Sequence, residues 1–182
     1  MKKNVLMTRS VLFFIVICLI FAGCSKSDEE DKIKGTITTV VGLQLNAPDE
    51  KAVFHNYISD NPEGDMKGIE EYNNYLKQTY AAYLTDDTFV QYMMTNELVI
   101  FHDSANNFNY QLKVNNVVVE QNEVTPTNYD FTVDLDFFNK DGEKTAIELK
   151  GIAIMRDDKI AKISYIGDKK VLRSLVSGGL TE

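Results

Sequence analysis

Between Tyr129 and Phe137 the chain reads YDFTVDLDF, so that Tyr129, Phe131, Val133, Leu135 and Phe137 alternate with Asp130, Thr132, Asp134 and Asp136. Successive side chains of a strand point to opposite faces, which gathers the five apolar residues on one face and the polar ones on the other. On a helix of 3.6 residues per turn the same five would scatter around the axis. The segment is therefore a half-buried strand of an antiparallel sheet, and its apolar face requires a covering layer.

Its neighbours predict the rest of the sheet. From Glu97, Leu98, Ile100 and His102 alternate with Val99, Phe101 and Asp103, which predicts a strand. Tyr110, Leu112 and Val114 alternate with Gln111 and Lys113, and Val117–Glu120 continues past Asn115-Asn116. Asp141-Gly142 is a favoured two-residue hairpin turn into Thr145–Arg156, and Asp157-Asp158 turns the chain into Lys159–Ile166.

The covering layer comes first in the chain. Ile33–Leu45 spaces Ile33, Ile37, Val40, Val41, Gln44 and Leu45 as a helix does. Asn46 to Glu50, with Pro48 and two acids, reads as a helix start, for a helix burying Val53, Phe54, Tyr57 and Ile58 and stopping at 60–64. Ile69–Leu84 sets Ile69, Tyr72, Leu76, Tyr80 and Tyr83 on one face. Thr85-Asp86-Asp87 starts a short helix bearing Phe89, Tyr92 and Met93 that ends near Thr95-Asn96, and Val171–Val176 adds a terminal helix before a frayed end at 177–182. Helices first and hairpinned strands afterwards predict an α+β fold, with N-terminal helices packed on a curved antiparallel sheet of four to five strands.

This order of elements resembles the nuclear transport factor 2-like (cystatin-like) superfamily. The likeness spans Ile33–Ile166 and is strongest at Tyr129–Phe137, Gly151-Ile152-Ala153 and Asp158-Lys159-Ile160. The resemblance implies a conical pocket between helices and sheet. Members include ketosteroid isomerases, dehydratases and polyketide cyclases, whose pockets hold an Asp, His or Tyr acid/base, and many members that only bind partners. Similar domains occur in lipoproteins of low-GC Gram-positive bacteria, most without an assigned activity. No catalytic motif of the superfamily is carried by this chain, so fold does not choose function.

The N-terminus reads as an address. Met1–Ser10 is basic, and Val11–Ala22 holds twelve residues of an apolar run. As a helix that run spans about 18 Å, short of the roughly 30 Å hydrocarbon core, which suits a signal peptide rather than a permanent span. Phe21-Ala22-Gly23-Cys24 follows and resembles the lipobox of bacterial lipoproteins, with Phe21 where that family usually carries an aliphatic residue. The resemblance implies cleavage after Gly23 and lipid on the thiol of Cys24, with palmitate among its acyl chains. Ser25–Lys32 is then an acidic linker, reaching roughly 15–18 Å as a flexible coil. The expected organisation is a signal peptide over 1–23, lipidated Cys24 with a linker over 24–32, and one domain over 33–182, at the extracytoplasmic face of the cell membrane.

Charge and composition narrow the chemistry. The 182 residues carry a net charge of −8, but the only charged residues of 1–23 are Lys2, Lys3 and Arg9. The remaining 16 basic and 27 acidic residues leave −11 on 24–182, which disfavours nucleic acid as a partner. The two cysteines, Cys18 and Cys24, both lie in the first 24 residues, so the body has no thiol for a disulfide or a nucleophile. His55 and His102 are the only histidines. His102-Asp103 is the pair to inspect as an acid/base. On a strand the two side chains point apart, leaving His102 to pair with a tyrosine or with His55. Asp130, Asp134 and Asp136 line one strand face, Asp134 and Asp136 about 7 Å apart, and are weak candidates for calcium or magnesium, which need ligands converging from several directions. The nine tyrosines, with no tryptophan, suit either core or a pocket wall.

These readings converge on a lipid-anchored envelope protein without a cofactor, serving as a binding or accessory module for an envelope protein or a small apolar ligand. The alternative is a small isomerase, dehydratase or hydrolase using the pocket of the fold.

Overall fold

The computed structural model describes residues 28–58 and 62–177. The signal peptide, Cys24, the linker residues 25–27, the turn at Asp60-Asn61 and the terminus beyond Ser177 lie outside the described residues. The chain divides into two compact units, Met1–Gly35 and Thr36–Glu182. In the first, the described residues are helical and solvated, with a Lys34–Glu30 ion pair at 2.7 Å. Residues 28–32, read from sequence as linker, are thus helical. Among the described residues no helix is long and apolar enough to cross a membrane.

Helix α1 covers 28–45 and buries Ile37, Val40, Val41, Gln44 and Leu45, the face its sequence predicts. A 3-10 turn, Phe54–Tyr57, precedes α2 (Pro62–Tyr80), α3 (Asp86–Thr95) and α4 (Ile100–Phe108). Four strands follow, β1 (Gln111–Gln121), β2 (Asn128–Phe138), β3 (Lys144–Arg156) and β4 (Lys159–Ile166), and α5 (Lys169–Ser177) closes the fold. The sheet is an antiparallel meander in the order β1-β2-β3-β4. The architecture is α+β, with four strands.

β2 buries all five alternate residues from Tyr129 to Phe137. Register places Val119, Phe131, Gly151 and Tyr165 in one row across all four strands, on the same face as Leu135, Leu149, Ala153 and Ile163. The helices cover that face. Phe101 of α4 meets Tyr165 edge-on, Tyr110 packs on Phe137, and Tyr92 of α3 exchanges hydrogen bonds with the Ile163 backbone at 3.0 and 2.9 Å.

Three local expectations are corrected. Residues 100–108 form a helix where a strand was predicted at 97–103. Leu98, Phe101, His102 and Ala105 are all buried, a spacing of three and four that suits a helix. The predicted helix after Pro48 is only a turn and the 3-10 segment. Asp49 spends its carboxylate on the Lys51 N–H (3.0 Å), and its own N–H is taken by His102 Nδ1 (2.9 Å). The Asp141-Gly142 hairpin is longer than two residues, because Asn139 N–H bonds to Glu143 O (3.0 Å) and its side chain accepts from the N–H groups of Asp141 and Glu143. Only Gly142 has positive φ there, at 82°, whereas Asp157 and Asp158, at 49° and 62°, make the two-residue turn with both centres left-handed.

One glycine is fixed by a close approach. A Cβ on Gly68 of α2 would lie 1.8 Å from the Tyr57 carbonyl oxygen, so the 3-10 turn can rest on α2 only where no side chain stands. Gly68→Ala is expected to lose about 2 kcal/mol in urea unfolding by pushing that turn away. Gly42→Ala is the control, since the nearest atom is 3.7 Å from its added methyl. Equal midpoints for the two variants would refute the contact.

Candidate functional site

His102 sits on the inner side of α4 and is 2% exposed. Its Nδ1 accepts the Asp49 N–H at 2.9 Å, and its Nε2 lies 2.8 Å from the Leu43 carbonyl, to which it donates. The proton therefore resides on Nε2 in a neutral ring. Burial pushes the imidazole pKa down, opposed by the Leu43 carbonyl and then by the carboxylates of Asp49 and Asp103. A general base needs a free nitrogen facing substrate, and both nitrogens here face backbone.

Asp103 works beside it without touching it. One oxygen accepts the Phe54 N–H at 3.2 Å and the other the Asn96 side-chain amide at 2.7 Å. On a helix the two neighbours diverge by about 100° rather than lying on opposite faces, so both reach the 49–54 loop. His55 is exposed on the 3-10 turn. His102, Asp103 and the 49–54 segment come together as a loop clamp.

The aspartates of β2 do not converge. Asp130 accepts from Asn122 (3.1 Å), Asp134 from Asn116 (3.5 Å), and Asp136 binds Lys144 Nζ at 2.8 Å. Lys144 holds the Asp136 carboxyl below the usual range, aided by Asn115. Among the described residues no three His, Cys, Asp or Glu side chains group as metal ligands.

The tyrosines point their hydroxyls at protein acceptors. Tyr80 donates to the carbonyls of Leu43 and Leu98 (both 3.2 Å), Tyr165 to Gln44 Oε1 (2.8 Å), Tyr75 to Asp49 Oδ2 (2.9 Å) and Tyr110 to the Leu175 carbonyl. Burial pushes the pKa of Tyr72, Tyr75, Tyr80, Tyr110 and Tyr165 well up, so these hydroxyls remain donors. Among the described residues every buried side-chain nitrogen and oxygen has a partner.

A cleft of about 370 Å³ opens between the end of α4, the start of β1 and the β2–β3 hairpin. Asn106, Asn109, Gln111 and Lys140 line it together with Tyr110 and Phe138. It can receive a hydrogen-bonding ligand, and among the described residues no histidine and no carboxylate lines it. Sequence reading missed this cleft and the Asp49–His102 bond. The end of α4 at Asn109, a left-handed cap with φ 54°, was the local signal that could have placed the first.

No protein-family model matches the chain, and no curated protein matches it. Solved structures do. The proposed transfer protein TraH of the Gram-positive conjugative plasmid pIP501 is 17% identical, with TM-score 0.42 over 79% of this chain and 95% of that one. A proposed polyketide cyclase from Xanthomonas campestris pv. campestris is 12% identical, with TM-score 0.44 over 82% of this chain and 99% of that one. A de novo β-sheet design is 16% identical, with TM-score 0.39 over 79% and 93%. At these scores the likeness says nothing of substrate or partner.

Proposed function

We propose that this chain is a bacterial lipoprotein, anchored through lipid on Cys24 at the extracytoplasmic face of the cell membrane, whose nuclear transport factor 2-like domain binds rather than catalyses. The observation that carries the anchor is the order of the first residues: a basic start, twelve residues of an apolar run, Ala22-Gly23-Cys24, then polar residues. Two or more acyl chains hold a protein on a bilayer, whereas one chain holds it marginally. The domain reading draws on the order of the elements, helices and then a four-stranded meander. The binding reading draws on His102, the strongest acid/base candidate, being spent on two backbone groups.

The proposed partner is an envelope protein or a small apolar ligand, and the acidic body argues against nucleic acid. Cells expressing the wild-type chain are expected to incorporate labelled palmitate into it, and a Cys24→Ala variant to incorporate none. An unlabelled wild-type protein overturns the anchor. A small isomerase or hydrolase of the same fold would need an acid/base other than His102, and nothing in the clamp or the cleft favours one.

A further inference from the structure

The two edges of the sheet are protected unequally. Along β4, Thr85 N–H donates to Ile160 O (3.0 Å) and Ile160 N–H to Tyr83 O (2.8 Å), while Lys159 and Lys162 lie on the strand itself. Covering segments and lysines are the usual defences of an edge. Along β1 the described residues cover only the first part. Ala47 and Leu112 exchange backbone bonds at 3.2 and 2.7 Å, and Val114 N–H donates to Asn46 Oδ1 at 2.9 Å.

Past the register shift between Val114 and Asn116 no described segment covers the edge. Asn116, Val118 and Glu120 pair with Asp134, Thr132 and Asp130, and Asn122 N–H donates to Asn128 O (2.8 Å). That bond sets the alternation, since in an antiparallel ladder every second residue bonds across the pair. The even-numbered residues direct their backbone groups at β2, and Val117, Val119 and Gln121 direct theirs outward. Among the described residues these outward groups meet no backbone partner. The segment 116–121 carries no lysine and no proline, and Val118 is 47% exposed.

Charge beside the edge selects the occupant. Glu120 is on β1, and Asp130 and Asp134 lie one strand inward on the same outer face. Asp130 and Asp134 take bonds only from neutral amides, and among the described residues no lysine or arginine forms an ion pair with any of the three. The chain as a whole is −8, so a second copy would bring acid to acid. A basic strand is complementary.

We propose that the β1 edge at Val117–Gln121 takes up an extended segment of another protein as a fifth strand. That segment carries Lys or Arg toward Glu120, Asp130 and Asp134, and small apolar side chains on the alternate positions beside Val117 and Val119. Main-chain bonds supply the affinity and the alternation supplies the choice of partner. The inference rests on the binding-module reading for its setting, but peptide titration reads the edge and palmitate labelling reads the anchor, so the two fail separately.

The test uses the full chain in detergent micelles and a blocked synthetic peptide of alternating Lys and Val, followed by fluorescence anisotropy. Saturable binding is expected. It should weaken at least about tenfold for the peptide with N-methylated ladder amides, for the alternating Glu and Val peptide, and for a Glu120→Lys variant of the chain. Equal binding of the N-methylated peptide would mean charge attraction without strand pairing and would overturn the proposal. Equal binding of the Glu peptide, absence of binding, or a concentration-dependent dimer that the Lys peptide does not dissociate would overturn it too.

Discussion

A Gly151→Val variant is expected to lose about 3 kcal/mol of stability, read as a lower urea midpoint at unchanged slope. Gly151 lies in the middle of β3, between Phe131 on β2 and Tyr165 on β4. Neither ring stays over its own strand. Phe131 and Tyr165 meet edge-to-face, with centroids 5.6 Å apart and planes at 86°, across the space Gly151 leaves empty. A Cβ at Gly151 would stand 2.0 Å from Phe131 Cζ, so even a methyl forces the ring off its seat. The displacement propagates, because Tyr165 also packs edge-on against Phe101 and donates to Gln44 Oε1 of α1. Phe131→Ala alone is expected to cost about 3–5 kcal/mol by leaving a cavity. The double variant should lose clearly less than the sum, since valine then fills the space the ring vacated. Additive losses would mean that the ring and the glycine are not in contact.

That row also marks what the sequence made legible. YDFTVDLDF identifies itself because period two, held over nine residues, has no helical counterpart. Its partners follow from the same alternation and from the turn at Asp157-Asp158. The run at 97–103 misleads because Leu98-Val99-Ile100-Phe101 is apolar throughout and fits either period. Only His102 and Ala105, continuing the three-and-four spacing, separate helix from strand. The 46–58 segment fails for another reason. Its local helix-start signals are outvoted by a bond to His102, 53 residues away, which no local window contains.

The candidate site was legible in its members and not in their roles. His102 and Asp103 do matter together, yet as holders of a loop. Their partners, Leu43, Asp49, Phe54 and Asn96, are brought to them by the packing of α4 against α1. Asp130 and Asp134 are exposed on the outer face of β2, and their position beside an edge that the described residues leave uncovered depends on where Asn46 and Ala47 stop covering β1. That stopping point is tertiary and leaves no mark in the strand's own residues.

The clamp has a thermodynamic signature that separates it from an ordinary buried side chain. His102→Ala is expected to cost about 3 kcal/mol, for the cavity and for the two backbone groups that lose their partner. It should also change the pH dependence. The folded-state pKa of His102 lies below its ordinary value of 6.5, so the unfolded chain binds the proton more readily. Stability from the neutral ring is complete above 6.5 and is lost as pH falls from there through the folded pKa, with a slope approaching about 1.4 kcal/mol per pH unit. The charges facing the ring, Asp49 from the loop and Asp103 from α4, oppose the shift but do not reverse it. The carboxylates act lower. Asp87, held at about 2 by Thr85 and Arg156, and Asp136, held down by Lys144, lose their contribution below 3.8. Urea unfolding between pH 6.5 and about 5, above the range in which those two carboxylates take up protons, therefore separates the imidazole from them. The wild-type chain should weaken through that window, and His102→Ala should weaken less. His102→Gln supplies one donor and one acceptor without titrating, so it should recover part of the stability and likewise weaken less. An acid slope that survives undiminished in both variants would assign the titration to another group and leave His102 as packing alone.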